Sequence, residues 1–531
     1  MKSYDVIIIG AGHNGMAASI KLAKTGRKVL ILESSSEFGG MASSNILLND
    51  NVNQPLPHLI NHLCSKSIKD LDLIKYGLKT KKFFIPSISV DKNQNYISFS
   101  GSYGSQIDGM DSNEKANWEK IKKRMFFQAN LLKKFLYKSP INRENNSLFD
   151  KLDFLKTGLN LRIKGREEFQ EFFRMMLMCV ADILEEEINN DLLKGLLAFD
   201  ATLGINLGPR SPTSYMGLLY RLAGEFNGAQ GAQIFPEGGI PKLIETFYKS
   251  STSAGVEFIF KNEAKNLIFE NNKVTGIKTQ NGEEFFADIV LSSVSPIKTF
   301  FDFIGSQRLD TGLLREIKSL RYKGNVSKLN LLLNKIPKSS FLSNEQLSAR
   351  ITYTPSINHV EKNFNPSKYQ QLPEDPNFEL LFPSIIDETN INDNRIIASI
   401  IIQNTPYSLK DGWDSSKKLL YNKIMLTLET IFPDIKKSVL ASKLISPLDI
   451  EKIFNVPGGH WHHSELQIDR MYSLRPVFKY SSYRTPIHGL YICGAGTHPG
   501  GGISGKSGIN AANQIIKDQK QNNHSYEKRI D

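Results

Sequence analysis

The sequence predicts an α/β protein. A largely parallel sheet with helices on both faces is assembled from three separate stretches of chain, and an α+β domain with a helical insertion fills the gaps. Three observations predict this. A strand, a glycine turn, a helix, a second strand and an acid follow one another between Tyr4 and Glu33. A run of strands and tight turns spans Val256 to Ser292. A buried strand, Leu490 to Cys493, opens into a glycine run and a small-residue helix.

Val6 to Ile9 is a continuous β-branched run, the pattern of a strand covered on both faces. It leads into Gly10-Ala-Gly12-His13-Asn14-Gly15. Met16, Ile20, Leu22 and Ala23 make one side of a helix that Gly26 closes, and Val29 to Leu32 is the next strand, ending at Glu33. This is the Rossmann dinucleotide fingerprint, a unit of about 30 residues. Gly10 allows the tight turn, Gly12 lets a pyrophosphate approach the backbone, and Gly15 lets helix and strand pack closely. The helix start, where His13 and Asn14 stand, offers free N–H groups to phosphates. Glu33 can accept hydrogen bonds from ribose hydroxyls, and its charge argues against a 2′-phosphate.

The chain has 531 residues, enough for two or three domains. Its net charge of +12 would suit an anionic surface, but the basic residues are spread, and no helix-turn-helix or zinc-finger spacing appears. Nucleic acid is therefore not expected. Cys64, Cys179 and Cys493 form no CxxC pair, which excludes a redox dithiol and suits a reducing compartment. No apolar run is long enough to span a bilayer, and the first strand begins too early for a leader peptide. A cytoplasmic location is expected, with peripheral membrane contact as an alternative.

In chain order, Ile68 to Lys75 reads as a short helix, and Phe83 to Val90 and Tyr96 to Ser100 as a hairpin of a second sheet. Ser112 to Tyr137 is helical, and Pro140 to Asn146 is linker-like. Glu167 to Leu184 reads as one amphipathic helix, with Phe169, Phe172, Phe173, Met176, Leu177, Val180 and Leu184 as its stripe. That stripe is core or, alternatively, a membrane or lipid face. Asp191 to Leu203 and Thr213 to Ala223 complete the helical insertion. A helix from Ile240 to Ser251 and the Val256 strand then rejoin the first domain. Ala264 to Glu270, Val274 to Thr279 and Glu284 to Ala287 form a meander, and Asp288 to Ser292 is a further buried strand. Ser327 to Asn334 and Arg395 to Asn404 are strands of the second domain, Trp413 to Ile431 is a helix, and Leu448 to Asn455 reads as a strand. The expected division is 1–75, 231–300 and 485–520 for the nucleotide domain, 76–230 and 301–484 for the second domain, and 521–531 for a flexible tail.

Seven glycines fall between Gly494 and Gly508, with His498 among them. Backbone there is set to pass close to a ligand. His460, His462 and His463 cluster around Trp461, with Glu465 and Arg475 following. Adjacent histidines on one segment do not make a tetrahedral zinc site, so no metal is expected. A histidine could accept a proton during redox chemistry. His58 and His62 are weaker candidates of the same kind.

DVIIIGAGHNGM…LESSSEFGGMAS, IFPEGGIPKLIETF and GLYICGAGTHPGGGISGKSGINAA together resemble the phytoene desaturase/carotenoid isomerase-like FAD-dependent oxidoreductases. The resemblance covers most of the chain and is weakest from about 310 to 440. It implies an FAD-binding domain of the two-dinucleotide-binding type. Gly10, Gly12, His13, Asn14, Gly15, Glu33, Gly39 and Gly40 would bind FAD at the ADP end, and Ala264 would lie near the adenine. Gly494, His498, Gly500, Gly501, Gly502 and Ile503 would lie near the ribityl chain and ring. Where many relatives carry an acid after the glycine matching Gly494, this chain has Ala495. The catalytic candidates are His498, His463 and Arg475. The expected activity is hydride transfer between a small apolar, isoprenoid-like substrate and the flavin, as a desaturase or isomerase. An amine-oxidase-like flavin oxidase and a flavin-binding regulatory protein with a protein partner are the alternatives. No second strand–GxGxxG–helix unit appears that could hold NAD(P)H.

Overall fold

Residues 3–49, 52–82, 84–140, 166–387 and 395–527 are described by the structure, a computed structural model. Among them, one seven-stranded sheet is built around strand Ser3–Ile9. Val29–Leu32 pairs with it in parallel on one side, and Glu257–Ile259 pairs in parallel with Val29–Leu32. Glu284–Ser292 pairs in parallel on the other side. This last element is one continuous strand, where the sequence suggested two. Its first residues pair antiparallel with Lys273–Thr279, and its last pair in parallel with Leu490–Ile492. One buried strand thus carries the meander directly into the parallel sheet, and Ala287–Asp288 passes through without a break.

The helix His13–Ala23 packs between the sheet and the final helix, Lys506–Glu527. Gly508 faces the carbonyl of Asn14 so closely that a Cβ there would lie 1.9 Å from the oxygen. The final helix continues to Glu527 through most of the expected tail, and 528–531 lie outside the described residues.

A second, eight-stranded sheet draws strands from both interruptions. Ser87–Val90 pairs in parallel with Arg350–Tyr353, and the other pairings in this sheet are antiparallel. Helix Gly412–Ile431 buries Trp413, Leu420, Ile424 and Leu428 against it. The helical insertion closes its own core, with Trp118, Met125, Leu193, Leu197 and Leu219 buried together. Phe300, Phe303, Leu313 and Ile317 still pack on the first sheet, so the chain leaves that domain near 320, later than expected. Strand Ile46–Asn49 instead leans on the second sheet, where Leu48 meets Leu332 and Ile397.

Several elements differ from the sequence reading. Leu448–Asn455 is not a strand: Leu448 to Phe454 lie in the helix Pro447–Phe454, and Asn455 caps its end. Ser446 and Asp449 form a reciprocal capping box, a signal that outweighs the apolar run. The amphipathic stretch from 167 is two helices, Arg166–Leu177 and Val180–Glu187, because the Cys179 thiol caps the second. The short helix is Ser65–Asp70, and the hairpin strand begins at Ser87. Phe83, residues 141–146 of the linker and the Phe169 side chain lie outside what the structure describes.

Because Gly508 has no room for a methyl group, Gly508→Ala should lower stability by about 1–3 kcal/mol. Urea denaturation of the purified protein reads this, and an unchanged midpoint would contradict the packing described.

Candidate active site

A cavity of about 320 Å³ lies between the two sheets. Gly10, Gly12, Glu33, Gly39, Gly40 and Ala264 line one end. His13, Asn14, His62, His462, His463 and Gly501 to Ile503 line its middle. Asp200, Tyr220, Arg221, Glu379 and Ile401 form the wall given by the second domain, and His58 of the first stretch joins it.

The first end is built for a dinucleotide. Gly10 has φ +96°, a conformation that suits glycine. A Cβ on Gly15 would lie 2.2 Å from the Gly10 carbonyl oxygen, so helix and turn touch there. A Cβ on Gly12 would meet nothing within 4 Å, so this open space faces the cavity. The Glu33 carboxylate accepts hydrogen bonds from the N–H groups of Ala11 (2.7 Å) and Ser35 (2.8 Å). Ser293, which the sequence reading passed over, donates its hydroxyl to the carbonyls of Ile9 (2.8 Å) and Gly10 (3.0 Å) and braces the turn.

In the middle, four lining side chains hold buried polar atoms without a partner: Nε2 of His13, Oδ1 of Asn14 and Nδ1 of both His462 and His463. Unpaired buried polar atoms are costly, and a bound polar ligand satisfies them. The residues present therefore fit a dinucleotide cofactor. Gly501 lies against His462, whose ring a Cβ there would strike at 1.9 Å, and Tyr220 donates its hydroxyl to the Gly501 carbonyl (2.9 Å).

Two catalytic candidates lie off the cavity. The His498 ring is buried against Tyr472, with Nε2 3.2 Å from the Phe135 carbonyl oxygen. The Arg475 guanidinium donates to the carbonyls of His462 (2.8 Å), Glu465 (2.9 Å) and Ala495 (2.8 Å). It ties the histidine segment to the glycine run and does not reach the cavity. Gly494 and Gly500 are also behind the wall: a Cβ on Gly494 would press on the Ser293 carbonyl oxygen, and one on Gly500 on Leu466. Of His498, His463 and Arg475, His463 alone lines the cavity, where His58, His62 and His462 join it.

The second-domain wall holds a buried ionic network that the sequence reading largely missed. Arg350 joins two carboxylates: its Nε meets Glu379 (2.5 Å) and its Nη2 meets Asp200. His58 hydrogen-bonds to Glu379 (2.8 Å) and to Ser399 (3.0 Å). Arg221 adds a second cation, its Nε 3.1 Å from Asp200. The available signal was an isolated acid inside an apolar run, as in LLAFDATLG and FELLF.

Comparison with known proteins agrees with this geometry. Residues 15–371 match the family described as flavin containing amine oxidoreductase. The chain belongs to that family. It is 30% identical to pyridine nucleotide-disulfide oxidoreductase domain-containing protein 2 of Rattus norvegicus, over 97% of this chain and 94% of the relative. It is 24% identical to one of the limonene dehydrogenase polypeptides of Castellaniella defragrans, over 98% and 96%. It is 21% identical to phytoene desaturase (lycopene-forming) of Pantoea ananas, over 94% and 96%. An engineered putrescine oxidase shares the fold, with a TM-score of 0.60, 12% identity and 98% and 99% of the two chains covered. The protein is an FAD-dependent oxidoreductase, and the glycine end of the cavity fits its FAD. Despite the first relative's name, Cys64, Cys179 and Cys493 are free and buried, and none lines this cavity. Among the described residues no helix is long and apolar enough to cross a membrane, and no cluster of His, Cys, Asp or Glu could hold a metal.

Gly12→Ala should leave the apoprotein's melting temperature unchanged and weaken FAD binding at least ~10-fold, because the methyl group enters space the protein leaves open. A reconstitution titration followed by flavin fluorescence reads this. Equal FAD affinity would show that the pyrophosphate does not pass Gly12.

Burial holds the imidazoles in and behind the site low: His13, His58 and His62 to about 4, His463 and, off the cavity, His498 to about 3, against an ordinary value of 6.5. They are neutral at pH 7. Below pH 6.5 the unfolded chain takes up protons that the folded chain refuses. Stability should therefore be full above pH 6.5 and fall toward pH 4, by up to about 1.4 kcal/mol per pH unit for each imidazole. Denaturation midpoints at pH 7, 6 and 5 measure the slope, and a flat profile would refute it.

Proposed function

We propose that this oxidoreductase moves hydride between an apolar, isoprenoid-like substrate and its flavin, as a desaturase or isomerase. Bound FAD supplies a two-electron carrier that takes or returns hydride at N5. The observation that carries the substrate reading is the state of the wall carboxylates. Among the described residues lining the cavity, Asp200 and Glu379 are held by Arg350, Glu263 by Lys298 (2.9 Å), and Glu33 by backbone N–H groups. None is free to receive the ammonium of an amine. Aliphatic side chains such as Leu203, Ile205, Ile401 and Leu466 complete the lining and suit a hydrocarbon body. The names of the limonene dehydrogenase polypeptide and the phytoene desaturase among the relatives agree with this.

Desaturation breaks two C–H bonds. One leaves with its electron pair as hydride, and the other gives up a proton. His463, neutral and with Nδ1 unpartnered, is assigned the role of accepting that proton, and His13 and His462 also present unpartnered ring nitrogens on the cavity. Tyr220, held on the Gly501 carbonyl, fixes the glycine run beside it. In an isomerase the same proton and hydride return to the substrate, and no net oxidant is needed. The reading takes the location to be cytoplasmic, in keeping with three unpaired cysteines. Exposed Phe173 and Leu177 on the helix Arg166–Leu177 support peripheral membrane contact as the route for an apolar substrate.

Anaerobic mixing of the holoprotein with candidate terpenoids, followed by the flavin absorption bands, tests the reading. A substrate that bleaches the flavin is expected, and His463→Asn should slow bleaching about 10²-fold or more while FAD remains bound. Bleaching by simple amines, with peroxide released in air, would replace it with the amine oxidase alternative.

A further inference from the structure

The wall given by the second domain carries charge that the redox reading leaves unused. Three cationic side chains, Arg221, Lys328 and Arg350, stand against two carboxylates, Asp200 and Glu379. Arg350 is fully buried and spent on both acids. Lys328 is 1% exposed, and its Nζ meets the Ser399 hydroxyl (2.5 Å) and His58 Nδ1 (3.3 Å), neither of them an anion. Burial lowers its ammonium to about 7, so at neutral pH the excess charge is only partly present.

Arg221 is the member that reaches the cavity. Its Nε faces Asp200 (3.1 Å) and its Nη2 donates to Gln233 Oε1 (2.6 Å). Nη1 has no partner among the described residues. Asp200 is already shared with Arg350 and the Tyr103 hydroxyl (2.8 Å) and has little left to give. The neighbouring His62 is neutral at pH 7 and supplies no charge. A guanidinium that lines the cavity with an N–H not engaged by the protein is the arrangement that selects a carboxylate.

We propose that the substrate is an amphipathic acid, its carboxylate seated on Arg221 and its apolar body extending toward His463 and Gly501. Arg221 is then a specificity-determining residue. The inference rests on the reading above for the use of this cavity as the substrate site.

The test is calorimetric titration of the holoprotein with dodecanoate, methyl dodecanoate and dodecylamine, with Trp461 fluorescence from the cavity wall as a second signal. Dodecanoate is expected to bind at least ~10-fold tighter than the ester or the amine, the scale of one charge-assisted hydrogen bond. Arg221→Gln should bring dodecanoate down to the ester's affinity and leave the ester unchanged, and Arg221→Lys should keep part of the preference. Equal binding of acid and ester to the wild type, or a preference that survives Arg221→Gln, overturns the inference. If Arg221→Gln does not fold, the wild-type comparison of acid with ester decides alone. Flavin bleaching by a neutral terpenoid, with no preference for the acid, overturns the head group and leaves the hydride reading standing. Selective acid binding with no bleaching by any analogue supports the head group and removes the hydride reading.

Discussion

The amide of Ala11 holds the nucleotide end together. Its N–H donates to the Glu33 carboxylate, and its carbonyl accepts from the N–H of Gly39 (2.9 Å). One residue of the first turn thereby fixes the acid at the end of the second strand and the second glycine pair. These groups come from three separate points in the sequence, and the cofactor needs all three in register. The bond is short, buried and charge-assisted, the kind that loses least to competing water.

From this lock the rest follows by packing. Gly15 lets the first helix press on the turn, and Gly508 lets the final helix press on the first, so the helix start cannot drift. The continuous strand Glu284–Ser292 then sets the first sheet against the meander that brings Ala264 to the cavity. The second sheet closes the space from the opposite side. Its Arg350 centre is internal, so it forms a rigid wall, and Arg221 at its edge reaches the cavity.

The cofactor end was legible in the sequence because its demands are local. A turn, a close approach and a helix start require particular residues at fixed spacing, and Gly10 to Glu33 supply them. The wall opposite was not legible. Asp200, Arg221 and Glu379 come from a helix, another helix and a strand that neighbour one another only after folding, and each looked like an ordinary charge among apolar residues. Likewise, His498 and Arg475 attracted notice for their chemistry, yet their side chains serve the packing behind the cavity. The helix at Pro447 hid behind an apolar run whose capping box was the better guide.

The interrupted sheet also fixes an order of events during synthesis. Strand Ser3–Ile9 finds Val29–Leu32 early, but its other edge waits for Glu284–Ser292, and that strand waits for Leu490–Ile492. At translation rates of roughly 5–20 residues per second, a buried β-branched edge stays open for roughly 15 to 60 seconds on the ribosome. Such an edge is a template for wrong pairing. The nascent chain therefore depends on shielding until its end emerges, and a flavin-loaded molecule is one whose last strand has arrived.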